Sequence, residues 1–432
     1  MIQPQARVGR VYYGWIIVGV ALFASLVISG SRMAFGPSFK FMQEDFATNR
    51  GMLSVAMSVN QLFYGFAAPL VGWLTDRYGA KFVVIVSTII TLVGLLGSSF
   101  APNLWVLYIA YGVFAGFGFS GATTIPFSAL VTRWFHRKSG MALGVFTTGT
   151  PVGQIIFAPF SMYLILGFGW RAAYVVLGAI IALVILPLAW RLIKTDPKEM
   201  GLLPDGDTHP QATETPGSQA AGQGQIASKS LGEAIRTRSY WLLCGGWFTC
   251  GFSGFLVVTH VVPFALDLGM DPMQAATVLS LLGASSVAGT LGIGAISDRI
   301  GCKNPLAAIY ASRFLAFPLL LTPLAAANLG TIYVFALVMG FGQLATLPLA
   351  SLLTRKIWGQ QSMGIILGTI LLSHQIGAAI GVYLGGAIFD VTGNYNLVFA
   401  MASGLSLIAG IASYLIKEER ITKLAPGLAP AG

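Results

Sequence analysis

Twelve apolar windows, set out in two groups of six, constrain this chain more than any other feature. They fall at about 14–37, 52–74, 82–101, 104–131, 141–165 and 172–193. After a polar interval they resume at about 241–263, 274–297, 305–324, 331–353, 364–388 and 397–416. Each is long enough to cross a hydrocarbon layer of ~30 Å as a helix, and a helix satisfies its own backbone polar groups in lipid. Charge points the same way. Only 9% of the 432 residues are Asp, Glu, Lys or Arg, against about 25% in a typical soluble domain. So few charges exclude a water-soluble enzyme and a disordered scaffold. The expected fold is an all-α membrane protein with 12 transmembrane helices. The first window is too long for a cleavable signal and has no small-residue cleavage site, so it reads as a retained span.

In a soluble chain a net charge of +10 would suggest nucleic acid. Here its distribution assigns it to topology. With the N-terminus inside, twenty of the 25 Lys and Arg fall in inside segments. Lys40, Arg50 and Arg171 fall in outside loops, and Arg32 and Arg313 within spans. The positive-inside rule then places both termini in the cytoplasm of a multi-pass protein of a cell (inner) membrane. No nucleic-acid partner is implied. The expected surroundings are membrane lipid, and the expected state is a monomer. Cys244, Cys250 and Cys302 lie in or beside apolar segments without metal or disulfide spacing and read as core packing. There is no phosphate-binding loop, catalytic constellation or metal cluster, so neither an enzyme, a cofactor nor a metal is expected.

The pattern divides the chain into a six-helix bundle (1–194), a linker (195–238) and a second six-helix bundle (239–432). The linker holds a low-complexity run from Thr208 to Ser228, expected to be flexible. It ends in Ser230-Leu-Gly-Glu233, a capping-box pattern that predicts a short amphipathic helix. The bundles are related by an internal repeat. Gly72-Trp-Leu-Thr-Asp76-Arg77-Tyr-Gly79-Ala-Lys81 recurs as Gly294-Ala-Ile-Ser-Asp298-Arg299-Ile-Gly301-Cys-Lys303, and Pro126 and Thr132-Arg133 recur as Pro348 and Thr354-Arg355. Both long copies lie in inside loops, so the expected halves are parallel, pseudo-symmetric repeats.

The doubled G-x-x-x-D-R-x-G-x-K motif resembles the signature of the major facilitator superfamily, and the resemblance covers the whole chain. It implies the major facilitator fold, two six-helix bundles rocking about a central cavity. Gly72 and Gly294 are expected to let helices approach closely. Asp76 and Asp298, with Arg77 and Arg299, are expected to make charge-assisted contacts across each half, one of them to a helix N-terminus. In the superfamily such contacts hold the outward-facing state. The alternative reading is a merely topogenic basic loop. Tyr12-Tyr13-Gly14-Trp15, the stretch Trp134-Phe-His-Arg137-Lys-Ser-Gly-Met-Ala-Leu-Gly144 and Gly149-Thr-Pro151-Val-Gly153 resemble signatures of the monocarboxylate transporters. They are also similar to the bacterial oxalate–formate antiporter branch, as is Asp196-Pro-Lys-Glu-Met-Gly201-Leu-Leu-Pro204-Asp205-Gly206.

The chain departs from that family in span eight, where the carriers hold a carboxylate with an arginine. The corresponding position falls near Thr290, and the span carries no charge between Leu279 and Thr290. Arg32, in span one, is the leading anion ligand instead, because a guanidinium grips a carboxylate with two parallel bonds. The transport lysine of the mammalian carriers falls one residue away, at Met33. The alternative for Arg32 is an interfacial cation reaching for water. Arg313, on a span that is peripheral in the superfamily, is expected to support the inner end of a neighbouring helix or to snorkel, with contact to the cavity as the alternative. Polar and aromatic candidates for the cavity are Phe35, Asn60, Gln61, Tyr64, Phe119, Ser120, Thr147, Thr150, Gln154, Gln343, His374 and Gln375. Each could equally be an interhelical contact. No cavity carboxylate is evident: Asp390 sits at the outer end of span eleven, and Asp76 and Asp298 belong to the motif loops. A histidine titrates near neutrality, which makes the mid-span His374 the candidate for proton coupling; His260 lies near the outer end of span seven.

The expected function is secondary transport of a small organic anion, a monocarboxylate such as lactate or pyruvate, by proton-coupled symport. Exchange of one carboxylate for another is the alternative. Efflux of amphipathic drugs is a weaker one, since such pumps use an embedded acid.

Overall fold

A computed structural model describes residues 12–206, 230–359 and 363–417. The low-complexity run of the linker falls outside them, as do the side chains of Asp298 and Arg299 and the surroundings of Gly294 in the second motif copy. No strand occurs among the described residues.

The N-terminal half contains α1 (Tyr13–Arg32), α2 (Phe35–Asp45), α3 (Arg50–Tyr78) and α4 (Ala80–Ser99). It continues with α5 (Leu104–Leu107), a π-helical stretch (Tyr108–Ala115), α6 (Gly116–Gly121), α7 (Thr124–Trp134), α8 (Ser139–Thr147) and α9 (Gly149–Leu192). A short helix, α10 (Leu231–Ile235), follows the Ser230–Glu233 capping box. The C-terminal half contains α11 (Arg238–Asp267), α12 (Pro272–Ile300), α13 (Lys303–Ala316) and α14 (Thr322–Ala327). It ends with α15 (Gly330–Phe341), α16 (Thr346–Trp358), α17 (Met363–Thr392) and α18 (Asn396–Tyr414).

Among the described residues, ten helical stretches are long and apolar enough to cross a membrane. The difference from twelve windows has two local causes. Windows five and six run together in α9, which bends at Gly169, where φ is +81°. Window nine is split by a 3-10 turn at Phe317–Leu320, with Pro318 inside the turn and Pro323 in the first turn of the helix after it.

Besides window nine, four spans are broken among the described residues, and each of these breaks is written into the sequence in the same way. Helices α2, α7, α9 and α16 begin Phe35-Gly-Pro37, Thr124-Ile-Pro126, Gly149-Thr-Pro151 and Thr346-Leu-Pro348. Proline inside a helix removes a hydrogen bond and collides with the carbonyl four residues back. A helix restarted two residues earlier puts that proline in its first turn, where an N–H would have had no intrahelical partner. The prolines thus set where four spans are interrupted, and the interruptions surround the middle of the bundle.

The repeat is visible at the level of elements. Helices α3 and α12 are both 29 residues long and are displaced by 222 residues at each end, Arg50 to Pro272 and Tyr78 to Ile300. Each stops at a motif glycine in the left-handed region, Gly79 at φ +84° and Gly301 at φ +86°. That conformation is open to glycine at no steric cost, so the second glycine of G-x-x-x-D-R-x-G is a helix stop. The first glycine does not do what was expected. A side chain at Gly72 would meet nothing within 4 Å, so in this conformation it brings no helices together.

Within the halves α1 packs on α9 and α11 on α17. Between them α3 packs on α17, α9 on α12, and α2 on α11. The α11–α17 contact is close because a side chain at Gly377 or Gly381 would strike the Phe248 or Phe252 carbonyl. We call the end of the bundle carrying the Lys- and Arg-rich loops the basic end, and the other the far end. At the basic end the start of the linker straps the N-terminal half. The Tyr12 hydroxyl donates to the carbonyls of Trp134 and Leu203, and Trp134 Nε1 donates to the Lys194 carbonyl. Asp205 accepts from the backbone N–H groups of His136, Arg137 and Lys138. Its modest burial would raise the carboxyl, but these three donors and the charge of Arg137 outweigh that and hold it below the usual carboxylate range.

Candidate functional site

Arg32 is the last residue of α1, immediately before the break that Pro37 enforces, and only 7% exposed. Its Nε and Nη2 donate to Asn60 Oδ1 at 3.2 and 3.1 Å, and Nη2 donates to Gln61 Oε1 at 2.8 Å. Asn60 is itself held by donating to the Tyr111 carbonyl. Three rings surround the guanidinium carbon, Tyr64 at 4.2 Å, Phe255 at 5.4 Å and Phe119 at 5.8 Å from their centroids. Amide oxygens and ring faces attract a cation but do not neutralise it. No carboxylate lies within ion-pair distance of Arg32 among the described residues.

The C-terminal half contributes the opposite wall. His374 on α17 stands between Trp247 and Phe255, at 5.6 and 6.1 Å between ring centroids, and its Nδ1 is 3.2 Å from Gln375 Oε1. Phe255 therefore bridges the arginine of one half and the histidine of the other. Neither Phe255 nor Trp247 was singled out in the sequence, where each is one more aromatic in an apolar span.

The remaining candidates are spread more widely. Phe35 is fully buried and stacks on Tyr111 at 4.8 Å, inside the N-terminal core. Thr150 Oγ1 is 3.3 Å from Ser29 Oγ, tying α9 to α1. Thr147 donates to the Gly144 carbonyl of its own helix. Gln154 lies against Gly283 of α12, its Nε2 buried without a partner. Ser120 Oγ and Gln343 Oε1 are likewise buried and unpartnered; Gln343 sits in the break between α15 and α16. Of the twelve candidates, the structure gathers Asn60, Gln61, Tyr64 and Phe119 around Arg32, and His374 with Gln375 across Phe255.

Arg313 is the second embedded cation. It is fully buried, donates to Ser253 Oγ and to the Gly342 carbonyl, and lies against the Tyr310 ring. That carbonyl is freed by the break in span ten, so Arg313 braces the broken helix end, as a helix C-terminus favours.

A further polar cluster closes the far end. Arg50, assigned by sequence to an outside loop, is instead the first residue of α3 and buried. Its Nη1 lies 2.6 Å from Asp267 Oδ2 and donates to the Tyr395 hydroxyl at 2.8 Å. Lys40 also meets Asp267, at 3.3 Å. All these contacts cross between halves. So do Ser58 Oγ to the Ala379 carbonyl and Ser280 Oγ to the Ile155 carbonyl, near the middle.

Residues 21–369 match the family profile of the Major Facilitator Superfamily. The chain is 26% identical over 420 residues to an uncharacterized MFS-type transporter of Bacillus subtilis, covering 93% of this chain and 96% of that one. It is 28% identical to monocarboxylate transporter 13 of Rattus norvegicus, covering 92% and 87%, and 24% identical to monocarboxylate transporter 12 of Homo sapiens, covering 95% and 82%. Among solved structures it is similar to a bacterial homolog of the human lysosomal transporter Spinster in an inward-facing, unoccupied conformation. The TM-score is 0.67 at 16% identity, over 94% of this chain and 96% of that one.

Proposed function

The chain belongs to the Major Facilitator Superfamily, and from that premise we propose that it carries a small organic anion, a monocarboxylate such as lactate or pyruvate, across the membrane by alternating access. One observation carries this reading. Arg32 is buried where both halves meet, and no acid among the described residues balances it. A charge at such depth costs several kcal/mol unless it is paired or faces water. A carboxylate is the group that would balance it, and a bound anion supplies one. Asn60 and Gln61 fix the plane of the guanidinium from one side, which leaves its remaining N–H groups for a ligand. The rings of Tyr64, Phe119 and Phe255 suit the short apolar part of such a solute. The relatives named monocarboxylate transporters support the same class of cargo.

In this reading the basic end faces the cytoplasm, in a cell membrane, and the conformation is closed outside and open inside. The protein works as a monomer. His374, one ring from Arg32, is the proton carrier of a symport cycle. Exchange of anions is the second reading, favoured by the lack of a carboxylate beside Arg32 and His374 among the described residues. Uptake of labelled L-lactate into proteoliposomes tests both. Accumulation into empty vesicles under an inward proton gradient is the expected result. Uptake only against an internal anion makes the protein an exchanger. No uptake in either format overturns the substrate class.

A further inference from the structure

The first turn of α3, at the far end, carries three N–H groups, those of Arg50, Gly51 and Met52, that have no intrahelical partner. One is met locally: Met52 N donates to Asn49 Oδ1. The other two are met from the opposite half. Arg50 N donates to Asp390 Oδ1 at 2.9 Å and Gly51 N to Asp390 Oδ2 at 2.6 Å. One carboxylate on α17 thus completes the cap of a helix 340 residues away.

Asp390 is badly placed for its own helix. It lies in the last turn of α17, which ends at Thr392, where the helix dipole repels an acid. Its position becomes favourable only when the positive N-terminus of α3 is against it. Arg50 is the mirror case, a cation in a first turn, and it is offset by Asp267 across the same gap. Each charge is therefore unfavourable on its own helix and favourable against the other half. The backbones are close enough for this because a side chain at Gly386 would strike the Arg50 carbonyl.

We propose that Asp390 is a helix cap shared between the halves, and that with the Arg50–Asp267 pair it latches the far end of the carrier shut. Opening the far end strips two N–H groups of α3 and leaves Asp390 against the negative end of α17. The closed far end is thereby stabilised over the open one without any cargo. The latch sets the resting orientation of the empty carrier, which Arg32 and His374 do not.

Double electron–electron resonance on the full-length protein in nanodiscs tests this, with spin labels at Phe100→Cys and Leu324→Cys. Both positions are exposed, one at the far end of each half, and the three native cysteines are buried. No substrate is added, so the outcome does not depend on which anion is carried. In the parent one short distance is expected. Asp390→Ala should shift the ratio of short to long distances roughly tenfold toward long, the loss expected for a dipole cap made through charged bonds. Asp390→Asn keeps the acceptor without the charge and should fall between; it also serves if the alanine variant is not recovered folded. A second measurement uses Thr259→Cys, buried just beneath the latch. Its modification by an impermeant maleimide added at the far side should quicken by a similar factor. Distances and modification rates equal to the parent in both Asp390 variants overturn the latch.

Discussion

Replacing Arg32 with glutamine separates a ligand from a structural cation. The charge lost would face a carboxylate at ~4 Å, where an effective dielectric near 20 gives about 4 kcal/mol. Truncating one partner of a buried pair typically costs about 2–5 kcal/mol. Apparent affinity for the anion should therefore fall by roughly 30-fold to several thousandfold. The empty protein should respond far less. Three hydrogen bonds to Asn60 and Gln61 are lost, at about 1 kcal/mol net each, but the cost of burying an unbalanced cation is lost with them. The assay is thermal unfolding of detergent-solubilised protein across a titration of L-lactate and pyruvate, since a ligand that binds the folded state raises its melting temperature by mass action. Parent protein should be stabilised and Arg32→Gln should not, while their ligand-free melting temperatures stay within a few degrees. Arg32→Lys should be intermediate, because an ammonium keeps the charge but cannot serve both amides and a carboxylate. Stabilisation of Arg32→Gln at the same anion concentrations as the parent refutes the reasoning.

Three further outcomes follow from named contacts. His374→Gln should abolish accumulation driven by a proton gradient while leaving exchange of internal for external anion intact, read in proteoliposomes. Asp205 is held below the usual carboxylate range, so its stabilisation is complete above that range and is lost as pH falls through its lowered folded value. Asp205→Asn should cost at most about 1 kcal/mol at neutral pH, less than a buried cap because the carboxylate is only partly buried, and parent and variant melting curves should converge in strong acid. Arg313→Gln should lower the melting temperature by uncovering the Gly342 carbonyl, a loss of about 1–3 kcal/mol, without changing the anion concentration that half-saturates stabilisation.

The spans were legible because apolar length is a property of each window alone. So was the repeat, which reappears as α3 and α12 ending on Gly79 and Gly301. Pro37, Pro126, Pro151 and Pro348 were in view too, but their meaning depends on a choice the chain makes elsewhere, to restart each helix two residues upstream. Around Arg32 the polar partners could be named because a polar side chain in an apolar window is conspicuous. Phe255 could not be, since nothing local distinguishes a ring that packs from one that faces a cation. Arg50 was misplaced for a related reason. A charge at the edge of a window reads as a loop residue, and only the opposite half, with Asp267, Asp390 and Tyr395, makes burial of that charge affordable.

Among the described residues neither Arg32 nor Arg313 has an acidic partner, and the proposed function requires a reason why one should bind an anion and the other not. Both are buried, and both donate to neutral oxygens. The difference lies in what would happen to those oxygens without the cation. The Gly342 carbonyl is bared by the break between α15 and α16 and has lost its helical donor, so Arg313 is recruited by a vacancy in the backbone. Ser253, its other partner, donates within its own helix to the Thr249 carbonyl and accepts from Arg313. The oxygens of Asn60 and Gln61 belong to side chains that the fold did not need to bury at that spot, and Asn60 Nδ2 is anchored independently to the Tyr111 carbonyl. Arg313 thus serves the helix, whereas Asn60 and Gln61 serve Arg32. In the proposed reading, Arg32 is a side chain that other residues are arranged to hold, at the junction of two halves, for an anion that arrives from outside the protein.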